Sequence, residues 1–334
     1  MTAENYPRAS DLTVVPKKYE EAGGDLHQDF QDLIATLPRP QNRIGLEEYQ
    51  GFWFPKVLMQ GVLKCQNQFQ ARDSDILLAT SPKSGTTRLK ALVFAIINRN
   101  TRDPICSILN TNPHSLVPFL EVLLQHENTS NLNSFPSPRI FSSHIPYVSL
   151  PESMKQSRCK IVYLCGNPND LFVSLWLWHF LGKLKPETQG PHSVEDSCEE
   201  FCREVSIYGP FWDHMLGYYK ESSERPWKIL FLRFEELKEG PVKTLKQLAD
   251  FIGYGISQEE ENGDVVGNLL KLCDFENLSS LEVNRTGSTV FGLENKLFFR
   301  RGEVGDWKNH LSIDMVKRLN AITQEKLEKH GLKS

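Results

Sequence analysis

The sequence lacks the features that would place it at a membrane or on nucleic acid. No apolar run among its 334 residues reaches membrane-spanning length, and its start lacks the charged and apolar regions of a signal peptide. It also lacks a basic excess, since 38 lysines and arginines face 42 aspartates and glutamates, a net charge of −4. General nucleic-acid binders usually present a basic surface. We expect a cytoplasmic protein without a nucleic-acid or membrane partner.

Cysteine usage lacks any pattern that would indicate a metal site. The seven cysteines are dispersed, without the even pairing of a small disulfide framework or the spacing of metal ligands. Cys198 and Cys202 lie four residues apart in a helical stretch, but no pair of histidines accompanies them. We therefore expect reduced thiols and no bound metal.

The most informative stretch is residues 75–87, Asp-Ile-Leu-Leu-Ala-Thr-Ser-Pro-Lys-Ser-Gly-Thr-Thr. A short apolar run stops at Ser-Pro, and a helical pattern follows the turn. A strand, a tight turn and a helix start make an anion site, because the first helical N–H groups have no partner and the helix dipole favours negative charge. Gly85 lets the backbone approach a phosphate, Lys83 adds a movable charge, and Thr86 and Thr87 add hydroxyl donors. The loop predicts a nucleotide-type ligand.

This loop is not a Walker A motif, Gly-x4-Gly-Lys-Ser/Thr, because its lysine precedes its single glycine. Metal-dependent phosphoryl transfer also needs an Asp at the end of a buried strand to help hold Mg²⁺. The other strand-like runs, residues 139–144, 160–166 and 228–234, have no Asp at their ends. They offer His144, a Gly-Asn-Pro turn and Arg233. This favours metal-free transfer of a less highly charged group, with an ATP-dependent small-molecule kinase as the first alternative.

From residue 75 onward, apolar runs alternate with helical patterns, which predicts an α/β fold with a parallel sheet flanked by helices. Ligands of such sheets bind at the carboxyl ends of the strands. Because there is no clear linker, we predict one domain over residues 46–334, after a polar arm over residues 1–45. Two polar segments, residues 183–196 and 281–305, are candidates for mobile lids. The helical patterns cover residues 88–98, 115–125, 170–181, 195–221 and 241–252.

Three separated motifs resemble those of the plant branch of the cytosolic sulfotransferase family. Residues 81–87, Ser-Pro-Lys-Ser-Gly-Thr-Thr, are similar to its 5′-phosphosulfate loop, residues 165–174 to its 3′-phosphate motif, and residues 300–308 to its C-terminal signature. The resemblance runs from about residue 45 to the end. It implies a single α/β domain around a five-stranded parallel sheet with a P-loop-like 5′-phosphosulfate loop. It also implies the donor 3′-phosphoadenosine 5′-phosphosulfate (PAPS), used without a metal.

The resemblance implies roles by position. Lys83 matches the lysine that stabilises the leaving phosphate, and His144 matches the catalytic base, a role that suits a side chain titrating near neutral pH. The 5′-phosphate cradle corresponds to Ser84, Gly85, Thr86 and Thr87. The 3′-phosphate contacts correspond to Ser174, Arg300, Arg301 and Gly302, and the adenine neighbours to Tyr208, Cys273 and Phe275.

Two donor-binding positions depart from the family pattern. Arg88 replaces a tryptophan that stacks on adenine, and Gly166 replaces an arginine that grips the 3′-phosphate. Losing a charged hydrogen bond of that kind costs roughly 1.5–3 kcal/mol. A guanidinium both stacks on rings and carries charge, so one hypothesis is that Arg88 serves partly in both capacities. The alternative is a weakly active or non-catalytic member of the same fold.

The acceptor implied is a hydroxyl on a small, largely apolar molecule. Phe52, Trp53 and Phe54 interrupt a polar region, and they either cover the core or line a substrate pocket. These aromatics, with no cationic cluster suited to an acidic acceptor, favour a steroid-like (including brassinosteroid-like) or flavonoid-like hydroxyl. The oligomeric state stays open.

Overall fold

The structure, a computed structural model, describes residues 24–40, 45–101, 104–126, 129–181, 193–289 and 292–332. Its strands are β1 (Leu46–Tyr49), β2 (Phe52–Pro55), β3 (Ile76–Thr80), β4 (Ile140–Ser143), β5 (Lys160–Cys165) and β6 (Ile229–Arg233). Within the described ranges, β1 and β2 form an antiparallel hairpin, and the other four form a parallel sheet in the order β4-β3-β5-β6. This arrangement confirms the predicted α/β class and the parallel sheet.

The predicted count of five strands in the main sheet differs from the structure. Beside β4, on the described part of the edge, there is a single parallel bridge between Phe119 and Ser142, in place of a fifth strand. Pro118 accepts a hydrogen bond of 2.9 Å from the Ser142 N–H. Because proline has no N–H to donate, a regular ladder cannot extend through this position.

Helices surround the sheet, and two of the predicted helices are divided. Pro118 separates α5 (Pro113–Leu116) from α6 (Leu120–His126), since proline disfavours a helix at the preceding residue. Residues 203–210, which end in Gly-Pro, likewise separate α9 (Val194–Cys202) from α10 (Phe211–Glu224). The helices are α1 (Gly24–Thr36), α2 (Met59–Gln68), α3 (Thr86–Asn98), α4 (Pro104–Asn110), α5 (Pro113–Leu116), α6 (Leu120–His126), α7 (Glu152–Gln156), α8 (Pro168–Leu181), α9 (Val194–Cys202), α10 (Phe211–Glu224), α11 (Phe234–Glu239), α12 (Pro241–Phe251), α13 (Gln258–Asn262), α14 (Val265–Leu272), α15 (Phe275–Ser280), α16 (Glu282–Thr286) and α17 (Ile313–Glu328).

Of the two predicted lids, residues 183–192 lie outside the described residues. The other, residues 281–305, contains α16 and a 3-10 turn, Asn295–Phe298. Its mobility stays a prediction. Of the predicted arm, residues 24–36 form α1, whose Phe30 is buried in the core.

The sheet separates two hydrophobic cores, because successive side chains of a strand point to opposite faces. On β3, Leu77 and Ala79 belong to one core, while Ile76 and Leu78 belong to the other. The first core includes residues of α2, α8 and α10, and the second includes residues of α3 and α12. With both faces covered, the carboxyl edge of the sheet is where strand ends and loops meet.

A buried ion pair joins the amino ends of the two neighbouring strands β3 and β4. Arg139 donates from Nε to Asp75 Oδ1 at 2.8 Å, and the two side chains are only 2% and 1% exposed. Asp75 also accepts from the backbone N–H of Arg72 at 2.8 Å. A buried carboxylate needs these partners because an unpaired charge in the interior is costly.

We expect Arg139→Met to lower the free energy of unfolding by about 3–5 kcal/mol, because it leaves the Asp75 charge buried and unpaired. Urea denaturation at pH 7 measures the change. The matched control is Arg203→Met, whose arginine is 68% exposed and pairs with Glu199 at the surface, a contact contributing at most about 1 kcal/mol. A loss for Arg139→Met no larger than that of the control would contradict the expectation.

Candidate active site

The loop between β3 and α3 is held in a conformation that only glycine allows at one position. Gly85 has a φ of 95°, and a Cβ built there would lie 2.5 Å from the Phe234 ring. Lys83 has a φ of 69°, which is also left-handed and mildly strained for a residue with a side chain. The hydroxyl of Ser84 is buried without a hydrogen-bond partner. An orphaned donor beside a helix start fits an anionic ligand.

All three sequence motifs meet at one cavity of about 140 Å³. Lys83 comes from the first motif, Ser174 from the second and Arg300 from the third, and Trp178 and Leu297 also line the cavity. These side chains are far apart in sequence, so their meeting is a product of the fold. Lys296 lines it as well, so the cavity has three cations and a hydroxyl, which suit phosphate oxygens.

A carboxylate holds the second and third motifs together. Asp170, in the first turn of α8, accepts hydrogen bonds from the backbone N–H groups of Gly305 at 2.7 Å and Trp307 at 3.0 Å. Two bonds to one carboxylate fix both the position and the orientation of the C-terminal signature. This contact brings Arg300 to the same cavity as Ser174.

The two arginines of the signature share one buried acidic partner. Arg300 and Arg301 both pair with Asp306, and the Arg301 Nη1–Asp306 Oδ1 distance is 2.7 Å. The Nε of Arg300 is nevertheless buried without a hydrogen-bond partner. Asp306 therefore orients the two guanidinium groups while leaving donors for a ligand. At Gly302, with φ 64°, a Cβ would lie 2.4 Å from the Phe275 ring, so the signature packs closely against this predicted adenine neighbour.

His144 lies at the carboxyl end of β4 and is attached to the loop that follows β3. Its Nδ1 is 2.8 Å from the carbonyl oxygen of Thr80, which can only accept, so Nδ1 carries the hydrogen. Nε2 is then left with its lone pair. Thr80 also contacts Thr86, with 2.7 Å between their hydroxyl oxygens. Burial lowers the pKa of His144 to about 3 in the free protein, so the imidazole is neutral at pH 7 and Nε2 is unprotonated.

Aromatic rings surround the His144 imidazole. The ring centroid of Phe119 is 4.6 Å away and that of Tyr208 is 5.4 Å away, and Phe54 packs edge-on against Tyr208 at 5.6 Å. Tyr208 therefore lies beside the histidine, in the first core, whereas Cys273 lies in the second. Contact of Tyr208 with adenine stays a prediction, as it does for Cys273 and Phe275. The backbone of residues 208–209 pairs with Trp53 of the hairpin, and this pairing draws Tyr208 to the His144 side.

Phe52 and Phe54 face the core because alternate side chains of β2 point inward, and Trp53 points the other way and is partly exposed. The two alternatives, covering the core and lining a substrate pocket, therefore do not apply equally to the three aromatics. Phe54 reaches the wall of rings around His144 through Tyr208, whereas Phe52 packs edge-on against His214 at 6.3 Å. Trp53 does not share their face.

The two departures from the family pattern lie at different parts of the site. Arg88 has a buried Nε without a partner, and its charge interacts with Cys273 and Asp274, on the predicted adenine side. Burial lowers the pKa of its guanidinium. A Cβ at Gly166 would meet Phe234 and Ser84 at 3.8 Å and 3.9 Å, which is ordinary contact. A larger residue is therefore not excluded there by its Cβ.

Phe234 is a site residue that the sequence analysis missed. It follows β6 directly, opens α11, and contacts the positions of both Gly85 and Gly166. The rule that ligands bind at the carboxyl ends of parallel strands could have found it, since it is the next residue after Arg233, the strand end. Trp178 and Phe298 were also missed; their ring centroids lie 5.8 Å and 5.9 Å from the Lys83 ammonium.

Comparison with known proteins identifies the family. The model of the sulfotransferase domain matches residues 73–331. Cytosolic sulfotransferase 13 of Arabidopsis thaliana is 47% identical over 308 residues, covering 91% of this chain and 93% of the relative. Flavonol 3-sulfotransferase of Flaveria bidentis is 41% identical, covering 91% and 99%. A solved Arabidopsis thaliana protein, provisionally named a steroid sulphotransferase, has a TM-score of 0.72 at 40% identity, covering 96% and 100%.

The chain belongs to the sulfotransferase family. Membership confirms the predicted enzyme class, a PAPS-dependent sulfotransferase. The predicted cytoplasmic location agrees with the names of the Arabidopsis relatives.

The part of the chain that the structure describes lacks two features. No helix there is long and apolar enough to cross a membrane. The same residues contain no group of three or more His, Cys, Asp or Glu side chains that could hold a metal ion.

The charge of Lys83 should make donor binding sensitive to alkaline pH. Burial, with Arg300 nearby, lowers the pKa of Lys83 to about 8, so in the free protein the ammonium is charged below pH 8 and neutral above it. Affinity for adenosine 3′,5′-bisphosphate (PAP) should fall as the pH rises from 7 to 9.5, by up to about 30-fold. Calorimetry at both pH values measures this change.

The matched control for this test is Lys83→Arg, because a guanidinium stays charged throughout the range. Its PAP affinity should depend much less on pH. An equal decline in both proteins would show that some other group controls the dependence.

Proposed function

We propose that this protein transfers the sulfuryl group of PAPS to a hydroxyl of a small, largely apolar acceptor, giving PAP and a sulfate ester. The observation that carries the proposal is the cavity at which Lys83, Ser174 and Arg300 meet, one from each of three separated motifs. The attachment of His144 to Thr80, at the end of β3, supports it further, because it puts a neutral imidazole next to the same loop.

On this proposal the unpartnered polar atoms bind the two ends of PAP. The loop hydroxyls and N–H groups at the start of α3, with the orphaned Ser84 Oγ, hold the 5′-phosphate end. Ser174, Arg300 and Arg301 hold the 3′-phosphate, and Asp306 keeps the two arginines in place. Adenine lies on the side of Phe275, whose ring contacts the Gly302 backbone.

The chemistry assigned to the protein is proton removal and charge stabilisation. PAPS supplies the sulfuryl group. The Nε2 lone pair of His144 accepts the proton of the acceptor hydroxyl, and the Thr80 carbonyl holds the opposite nitrogen protonated, which fixes the tautomer. Lys83 supplies positive charge where the phosphate becomes the leaving group, and such fixed charges act most strongly in a site from which water is excluded.

The acceptor class proposed is a flat, mostly apolar molecule with one reactive hydroxyl, such as a steroid or flavonoid. Support comes from Phe119 and Tyr208, whose rings stand beside His144, since aromatic walls bind flat apolar molecules well. Two relatives carry the names flavonol 3-sulfotransferase and, provisionally, steroid sulphotransferase.

His144→Ala should lower the rate of sulfate transfer from radiolabelled PAPS by about 10²–10⁴-fold, because it removes the general base. Hydroxylated steroids and flavonoids serve as the acceptor panel. His144→Asn is the matched variant, because its amide can still donate to the Thr80 carbonyl but has no basic nitrogen. Both variants should bind PAP as the unmodified protein does. Turnover that survives either change would remove His144 from the mechanism.

A second candidate function is a weakly active or non-catalytic member of the same fold. It is favoured by Arg88 and Gly166, which stand where the family has two donor-binding side chains. The position of Arg88 near Cys273 supports an adenine role for it, and leaves the 3′-phosphate with one cation fewer.

Gly166→Arg should increase PAP affinity by about 10-fold or more, because it adds a charged hydrogen bond to the 3′-phosphate. If Arg88 already supplies part of that charge, the gain should be larger in the Arg88→Trp background than in the original protein. Calorimetry with the two single variants and the double variant tests this coupling. Strictly additive gains would refute the link between the two positions, and transfer by the unmodified protein would exclude the non-catalytic alternative.

A further inference from the structure

A second lysine, which the proposed function does not use, is buried beside the loop. The Lys90 side chain on α3 is fully buried, and its ammonium lies 3.4 Å from the centroid of the Phe119 ring. Buried lysines are rare because the charge loses its water. The atom that receives a hydrogen bond from this ammonium is Nδ1 of His114, at 3.0 Å. The ammonium therefore hydrogen-bonds to an imidazole, while its charge also interacts with the buried carboxylate of Glu121.

His114 connects Lys90 to the loop. Its Nε2 lies 3.1 Å from the hydroxyl oxygen of Thr87. The ring is held from both directions, since the centroid of Phe298 is 4.3 Å away and that of Phe119 is 5.5 Å away. Its backbone N–H donates to Asn112 at 2.8 Å, at the start of α5. The imidazole is thus fixed between a cation and a loop hydroxyl.

The direction of the hydrogen bonds follows from the donors available. In its charged form Lys90 has only donors, so Nδ1 of His114 then accepts from the ammonium and Nε2 carries the hydrogen. Nε2 then donates to the Thr87 oxygen, and the Thr87 hydroxyl hydrogen is left to point away from the imidazole. Burial lowers the pKa of His114 well below its usual value, which keeps the ring neutral. Burial also lowers the pKa of Lys90, and an anion bound at the loop would favour its charged form.

We propose that Lys90 and His114 are positioning residues that aim the Thr87 hydroxyl at the 5′-phosphosulfate end of the donor. The proposal rests on the proposed function, because it assigns the loop to that end of the ligand. Neither side chain touches the reacting atoms in this account. Lys90 sets the tautomer of His114. His114 in turn fixes the direction in which the Thr87 hydroxyl donates its hydrogen before PAPS binds.

The test uses two ligands that differ at one end only, PAP and adenosine 3′-monophosphate. Thr87→Val and His114→Phe should each weaken PAP binding by about 10-fold, because each removes the directed hydrogen bond to the 5′-phosphate. Binding of adenosine 3′-monophosphate should change by less than about twofold. Calorimetry on the full chain measures both. Equal weakening of the two ligands would overturn the proposal.

A double-mutant cycle shows whether His114 acts through Thr87. The double variant with Thr87→Val and His114→Phe should bind PAP no more weakly than Thr87→Val alone. Losses that multiply would refute the relay. Failure of the unmodified protein to bind PAP would instead refute the proposed function, so the two failures are distinguishable.

Two further variants keep the test decisive if His114→Phe does not fold. His114→Gln should retain PAP affinity within about threefold, because its amide accepts from Lys90 and donates to Thr87 as imidazole does. Lys90→Met removes the group that sets the tautomer, and it should weaken PAP but not adenosine 3′-monophosphate. A glutamine variant as weak as Thr87→Val, or a methionine variant with unchanged PAP affinity, would contradict the proposal.

Discussion

The carboxyl edge of the parallel sheet is the constraint on which the rest of the site depends. Parallel pairing puts the ends of β3, β4, β5 and β6 at one edge, and each strand delivers a site residue at or just past its end. The residues are Thr80 with the loop behind it, His144, Gly166 and Phe234. Their order in space follows from strand order. The hydrogen bond from His144 to Thr80 joins two of these ends and ties the proposed base to the donor loop.

The site also concentrates positive charge in buried surroundings, where water solvates the charge least. Lys83 and Lys90 both lie in surroundings that lower the pKa of their side chains. Arg300 has an orphaned Nε. These groups cost free energy in the free protein and are relieved by an anion, so ligand binding should be coupled to stability. On the proposed function, Asp306 and Asp170 support the site without binding the ligand. Asp306 orients the two arginines, and Asp170 orients backbone N–H groups.

Much of the fold could be predicted from the sequence, because local patterns carry it. The apolar runs gave four strands of the main sheet, and the alternation with helices gave the α/β class. The single bridge found where a fifth strand was expected, and the division of two helices, could not be predicted so simply. Residues 117–119 form a short apolar run next to a helical pattern. Only the pairing of this run with β4 shows that Pro118 interrupts the strand and the helix alike.

The site was predicted less completely, because motifs name residues but not their neighbours. Lys83, Ser174 and Arg300 were identified by position, and the fold brings them to one cavity. The contact of Tyr208 with His144 was not predicted, since nothing in its local sequence reveals the pairing of residues 208–209 with Trp53. Phe234 has no motif of its own.

The most direct test of this account is calorimetry with PAP, adenosine 3′-monophosphate and adenosine 5′-monophosphate. We expect one PAP per chain, bound at least about 10-fold more tightly than either monophosphate, because on the proposed function the protein binds both phosphates. No detectable heat or thermal shift with PAP at millimolar concentration would contradict it.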